Sequence, residues 1–228
     1  HWVRKRAIQG KHKLIAKYQP TGKLLDVGCG TGDFLAYMAE QNYAAQGVEV
    51  SGDARKIATS KGLQLTAELG AIPTQAQFNA ITLWHVLEHV PDPRTTLHEL
   101  NARCASGGVL VIAVPDNESR DAQHYGPNWA AWDVPRHFSH FRRMDVENLL
   151  KHPSFLNDTC TTKFIDTSPE LFVFKRRRDR ATKILTYIAD ITVNGHPETA
   201  GRPKPSVRAH APRPPGANPI PPNGLRQT

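Results

Sequence analysis

The stretch that most constrains this chain is Leu24-Leu25-Asp26-Val27-Gly28-Cys29-Gly30-Thr31-Gly32, an apolar run ending in three glycines at alternate positions. The run from Lys23 to Val27 reads as a short strand, and Asp33 to Gln41 carries helical spacing. Glycines between them let the backbone turn tightly and approach a ligand with no Cβ in the way. In an open α/β sheet, ligands bind beyond the carboxyl ends of the strands, beside a change in strand order. The loop Gly28–Gly32 stands where such a ligand is held.

The rest of the chain continues the alternation. Trp2–Tyr18 is a basic helical segment closed by Pro20-Thr21-Gly22. Ala44–Val50 predicts a second strand, Ser51–Lys61 a second helix, Leu63–Glu68 a weaker third strand and Phe78–Trp84 a fourth. Thr95–Cys104 reads as a helix, Gly107-Gly108 as a turn and Val109–Val114 as a fifth strand, whose unbroken apolar run fits burial on both faces. Met144–Leu150 predicts another helix, and Thr159–Ile165 with Glu170–Phe174 a final antiparallel pair. The expected fold class is therefore α/β: a Rossmann-like, doubly wound, mostly parallel sheet with a terminal antiparallel strand.

Charge divides the chain into regions. Residues 1–174 hold 18 Lys/Arg and 18 Asp/Glu, whereas residues 175–228 hold 11 against three, so the whole net charge of +8 belongs to the end. Nine of the 18 prolines follow Gly195, and that segment has no periodicity and few aliphatic residues. It is expected to be disordered, because it cannot bury enough apolar area to offset its ordering entropy. The organisation predicted is an N-terminal helix over 1–20, a ligand-binding domain over 21–176, and a basic, Pro-rich tail over 177–228, largely disordered from about 195. Specific nucleic-acid binding by the folded body is not expected from so local a charge excess. Cys29, Cys104 and Cys160 form no CxxC pair, which suggests neither a disulfide framework nor a zinc site. No apolar run reaches the length of a membrane span. The expected setting is cytoplasmic, and the expected state a monomer or homodimer.

Two ligand chemistries compete for the loop. A dinucleotide fingerprint, G-x-G-x-x-G, would need its third glycine at position 33, where the chain has Asp33. An acid there would face a pyrophosphate at a helix N-terminus. S-adenosylmethionine carries no phosphate, and its sulfonium is positive, so nearby carboxylates are tolerated. Glu49, closing the second strand, is placed to accept hydrogen bonds from both ribose hydroxyls, each strengthened by its charge. Glu68-Leu69 follows the third strand, where an acid can meet an adenine amino group.

Leu24–Leu35, Gly47–Ser51, Phe78–Pro93 and Gly107–Asn117 together resemble the successive motifs of class I S-adenosylmethionine-dependent methyltransferases, in the family's order and spacing over residues 2–150. Within that superfamily the chain is similar to bacterial small-molecule, glycan and lipid-type methyltransferases through Leu83-Trp84-His85-Val86-Leu87-Glu88-His89-Val90 and through Tyr125–Trp129 with Asp133–His137. The resemblance implies S-adenosyl-L-methionine as cofactor, bound by Asp26, Gly28, Cys29, Gly30, Gly32 and Phe34 around the loop. It adds Glu49, Val50, Glu68 and Leu69 at the next two strand ends, and Trp84 and His85 at the fourth. Two departures stand out: Asn79 replaces the family's usual acid, and the residues after Leu150 do not resemble the expected terminal hairpin.

Methyl transfer is an in-line displacement at carbon, so positioning comes first, and a hydroxyl acceptor also needs a base. His85 and His137 are the candidate catalytic residues. Tyr125, Trp129, Trp132 and Arg136 are the candidate substrate contacts, the aromatics as a lid able to stack on a planar or sugar acceptor. Some ubiquinone-type O-methyltransferases have an acid, then Glu and His, at the positions of His85, Glu88 and His89 and use them near a divalent metal. With His85 in the first place, no metal is expected. The expected reaction is methyl transfer to a small-molecule, glycan or lipid-intermediate acceptor, at oxygen. The alternatives are an RNA or protein methyltransferase using the basic tail, and a non-catalytic domain that only binds the cofactor.

Overall fold

Why the strands run through the centre of the molecule follows from their side chains. Leu24, Ala80, Val109 and Val111 point to one face of the sheet, where they meet Leu14, Ile15, Phe34, Leu35 and Met38. Their chain neighbours Leu25, Ile81, Leu110 and Ile112 point to the other, where they meet Leu97, Leu100, Val146 and Leu150. The period of two along a strand thus feeds two cores, which is why these strands are apolar without alternation.

The computed structural model describes residues 2–151, 160–164 and 171–176. The elements are α1 (Trp2–Ala16), β1 (Gly22–Val27), α2 (Asp33–Glu40), β2 (Tyr43–Val48), α3 (Gly52–Ser60), β3 (Gln64–Thr66), β4 (Phe78–Trp84) and α4 (Pro93–Arg103). They continue with β5 (Cys104–Ala113), α5 (Arg120–Tyr125), α6 (Arg143–Lys151), β6 (Cys160–Phe164) and β7 (Leu171–Arg176). The seven strands lie in the order β3-β2-β1-β4-β5-β7-β6. The first five are parallel, while β7 runs antiparallel to β5, pairing Val111 with Val173, and β6 antiparallel to β7. This is the doubly wound sheet with an antiparallel end that the sequence predicts. The chain starts at β1, winds outward to β3 and returns to β4, so the order reverses between β1 and β4. Their carboxyl ends form the crevice where such folds take ligands.

Several boundaries differ from the sequence reading. The fifth strand begins at Cys104, not Val109, and Gly107-Gly108 lie inside it. The register slips between Phe78 and Ala80, so Cys104 pairs with Phe78 and Val109 with Ala80. An irregularity absorbs the two glycines that would otherwise turn the chain. The short helix α5 has no counterpart in the reading. It is started by Ser119, whose Oγ accepts from the Ala122 amide at 3.2 Å. Helix α4 starts at Pro93, two residues before the expected Thr95: Asp92 accepts from the amides of Arg94 and Thr95, and Pro93 fills the first position. No helix among the described residues is long and apolar enough to cross a membrane. The tail over 177–228 and the disorder expected of it lie outside the described residues.

Candidate active site

The crevice between β1 and β4 has two sides, and the cofactor side is built from backbone. The amides of Gly28 and Cys29 donate to Val48 O at 2.7 and 3.1 Å, tying the loop to the end of β2. The Gly30 amide donates to Glu49 Oε2 at 2.8 Å, and the Ser51 amide to Glu49 Oε1 at the same distance. Arg55 donates from Nη1 to the carbonyls of Glu49 and Val50. The Glu49 carboxylate is thereby fixed beside the loop, with lone pairs remaining on both oxygens. Val50 next to it is 83% exposed, an apolar face with nothing on it.

Two of the glycines differ in purpose. A Cβ on Gly28 would stand 2.4 Å from Val86 Cγ2, so this residue is required by packing. A Cβ on Gly30 would meet nothing within 4 Å, although its φ of +55° lies in the left-handed region. Gly30 therefore shows bare backbone to an open space.

Asp26 is buried beneath this loop and accepts a hydrogen bond from Thr82 Oγ1 at 2.6 Å. Burial pushes its carboxyl up to about 7, against the opposing effects of the Thr82 hydrogen bond and the Lys11 charge. Burial likewise pushes the Cys29 thiol up to about 12, so it is no nucleophile. Asp33 pairs with Arg4 and, at 2.5 Å, with Lys61; the Lys61 hydrogen bond above all holds its carboxyl below the usual range. The negative charge of Asp33, which would oppose a pyrophosphate at this helix start, is thus matched by two cations in the folded protein. Phe34 stacks edge-on against Trp84 with centroids 5.8 Å apart. Glu68 is exposed beyond the end of β3, and Leu69 packs against the core.

The other side of the crevice is built from side chains. His85 ends β4 with φ of +56°, a conformation that costs a non-glycine residue energy and is held by its amide bonding to Ala113 O at 2.9 Å. Its Nδ1 lies 3.5 Å from Glu88 Oε1. Glu88 is 1% exposed, and among the described residues neither of its carboxylate oxygens has a hydrogen-bond partner. His89 and His137 stand edge to face at 4.7 Å. Each points its Nδ1 at a carbonyl, His89 at Arg136 O (3.0 Å) and His137 at Ala131 O (2.8 Å). A carbonyl only accepts, so each Nδ1 is the donor in these contacts, which turns each Nε2 the other way.

Glu88, His89 and His137 each offer a ligand atom, all within 4.8 Å of one another. The absence of a metal expected above rested on His85 replacing an acid. The fold brings His137 to the same place from a distant loop, so a carboxylate and two imidazoles are assembled regardless. That donor set, with the carbonyls of Arg136 and Ala131 orienting the two rings, suits a divalent cation.

The predicted substrate residues divide. Trp132 donates from Nε1 to Gly126 O at 2.8 Å and packs against Trp129 and His140, forming with His137 one aromatic wall. Tyr125 is 55% exposed, and its ring contacts that of His124. Arg136 is committed to Asp133 through Nε and Nη2 at 3.0 and 2.7 Å, so it orients the loop and is not a free anion receptor. Sequence reasoning did not single out Thr82, Asp133 or Lys11, and undervalued Glu88. Only the last had a signal, its place in the block after β4.

A methyltransferase-domain family model matches residues 1–155. Over 100 residues the chain is 36% identical to a ubiquinone biosynthesis O-methyltransferase from Azoarcus sp. (strain BH72), covering 40% of this chain and 43% of that protein. A stretch of 61 residues is 51% identical to pyruvate carboxylase from Bacillus subtilis (strain 168), 27% of this chain but 5% of that enzyme. The chain thus spans less than half of these relatives' length. The residues beyond 155 are numerous enough to hold a stretch of that size. Among solved structures, a possible histamine N-methyltransferase from Thermotoga maritima aligns with a TM-score of 0.58 at 18% identity, over 78% of this chain and 92% of that one. The plantazolicin methyltransferase bound to SAH aligns at 0.60 and 14%, over 78% and 84%. These two likenesses show the shared fold.

Proposed function

The chain belongs to the methyltransferase-domain family, and from that premise we propose that it transfers the methyl group of S-adenosyl-L-methionine to a small-molecule, glycan or lipid-intermediate acceptor, at oxygen. The observation that carries this reading is the Glu49 carboxylate locked by the Gly30 and Ser51 amides beside the open face of the loop. A ribose placed there gives both hydroxyls to Glu49, and the adenine covers the exposed Val50 toward Glu68 and Leu69. The cofactor's sulfonium then faces the crevice between β1 and β4, opposite His85 and the aromatic wall of Trp129 and Trp132.

An acceptor hydroxyl in that crevice loses its proton to His137 Nε2, which the Nδ1 bond to Ala131 O orients and which has Asp133 Oδ2 at 3.8 Å to stabilise the imidazolium formed. Attack in line with the carbon–sulfur bond forms the new carbon–oxygen bond and leaves a neutral thioether. The enzyme's main contribution is alignment, since the sulfonium is already a good leaving group. The oxygen acceptor is supported by the likeness to the ubiquinone biosynthesis O-methyltransferase. A small or natural-product acceptor is supported by neighbours such as the amino pentose methyltransferase from Micromonospora echinaspora.

A second reading adds a divalent cation. The unpartnered, buried Glu88 favours it, and the ion held by Glu88, His89 and His137 would acidify a hydroxyl bound to it. Calorimetric titration tests the first reading: wild type binds S-adenosylmethionine, and Glu49→Ala weakens binding about 30-fold or more, as expected for lost charge-assisted hydrogen bonds. No binding to wild type refutes it. A screen for labelled methyl transfer, run with and without chelator, identifies the acceptor and separates the two readings.

A further inference from the structure

Lys11 is the one half-buried cation beside the loop for which, among the described residues, no hydrogen bond or ion pair is recorded. It projects from α1, and its Nζ lies 4.3 Å from the centroid of the Trp84 ring and 5.7 Å from that of Phe34. Asp26 is the charge that acts on it electrostatically. These three residues stand before the loop, after it and at the end of the adjacent strand, so the ammonium sits at the mouth of the crevice. Two aromatic faces stabilise its charge in part but accept none of its three N–H groups. Burial lowers its affinity for the proton. An ammonium so placed costs free energy unless an anion arrives.

We propose that Lys11 holds the α-carboxylate of the cofactor's methionine, so that helix α1 closes one end of the binding site. This rests on the reading that the crevice takes S-adenosylmethionine. The cofactor carries a sulfonium, an ammonium and one carboxylate. A lysine at the crevice mouth repels the first two, so only an orientation that presents the carboxylate is favourable. The contact therefore sets the direction in which the methionine lies, and with it the direction of the sulfonium's methyl group. Arg4 and Asp33 pair between α1 and α2, anchoring the helix that delivers the lysine. Lys11 is a positioning residue: it touches the cofactor far from the transferred carbon, and its charge survives in the complex with the thioether product, which keeps the carboxylate.

The test is calorimetric titration of the full chain, as wild type, Lys11→Met and Lys11→Arg, with S-adenosylmethionine, S-adenosylhomocysteine and decarboxylated S-adenosylmethionine. Lys11→Met is expected to weaken binding of the first two about tenfold or more and to leave the decarboxylated compound within about twofold of wild type. Lys11→Arg keeps most of the affinity, because a guanidinium also binds a carboxylate. Wild type itself is expected to bind the decarboxylated compound more weakly than S-adenosylmethionine, a comparison that needs no variant to fold. Equal loss for all three ligands in Lys11→Met means that Lys11 only docks the helix, and overturns the proposal. So does unchanged affinity for S-adenosylmethionine. Binding of none of the three to wild type would instead refute the cofactor reading itself, which keeps the two failures distinct.

Discussion

On the cofactor side of the crevice, the decisive contact joins Gly30 to Glu49, 19 positions apart in one βαβ unit. On the acceptor side it joins His89 to Arg136, 47 positions apart, across α4, β5 and α5. The first side is made of amides and glycines whose positions follow from local geometry. The second is made of imidazoles, an indole and a carboxylate whose meeting depends on how a long connection folds back. The loop amides of the first are bonded before any ligand comes, while the second leaves Glu88 buried with neither oxygen hydrogen-bonded among the described residues. A protein of this kind holds its common cofactor on rigid backbone and keeps its unsatisfied chemistry for the acceptor.

The comparison breaks most visibly at Asp26, a buried acid beneath the loop whose amides are bonded. Its folded carboxyl holds a proton up to about pH 7, while the unfolded one releases it near 3.8. Between those values the native state binds more protons, so stability falls as pH rises and levels off above the upper one. Asp26→Asn is expected to flatten this dependence, worth about 3 kcal/mol between about pH 5 and about pH 8. Urea unfolding at the two values measures it, and a variant with the wild-type slope would place the ionisation elsewhere.

Gly28→Ala comes close behind. Overpacking against Val86 and the left-handed φ together cost about 3 kcal/mol, read as a lowered unfolding midpoint. On the acceptor side the sign reverses. Glu88→Met removes a buried carboxyl that has no hydrogen bond among the described residues and only His85 Nδ1 at 3.5 Å beside it, and is expected to stabilise the fold by about 1–2 kcal/mol while lowering methyl transfer. Lost stability would make Glu88 a structural residue and erase the contrast between the two sides. Smallest in stability is Gly30→Ala, about 1 kcal/mol from its φ alone. Its Cβ enters open space, so cofactor affinity falls more than stability does, which sharpens the difference between two glycines two residues apart.

Legibility followed the same division. Strands β1, β2, β4 and β5 could be read from apolar runs, because burial on both faces demands such residues whatever the neighbours. The start of β5 could not, since Gly107-Gly108 turn a free chain but are drawn into an irregular ladder by the pairing of Cys104 with Phe78. Helix α5 is too short to show a period. Glu49 was legible from its place at a strand end. The pairing of Arg136 with Asp133 was within reach of the spacing, yet only the fold shows that it takes Arg136 away from the acceptor.

From its order of residues alone, this chain specifies a doubly wound sheet, a glycine loop over β1 and an acid beyond β2, because each depends on contacts within one local unit. Tertiary structure decided that His137 reaches Glu88 and His89, that Arg4 and Lys61 cancel the charge of Asp33, and that Lys11 lies over Trp84. Those contacts join residues that carry no periodic or spacing signal, since a side chain's partner across a crevice is fixed by packing and not by its neighbours in the chain.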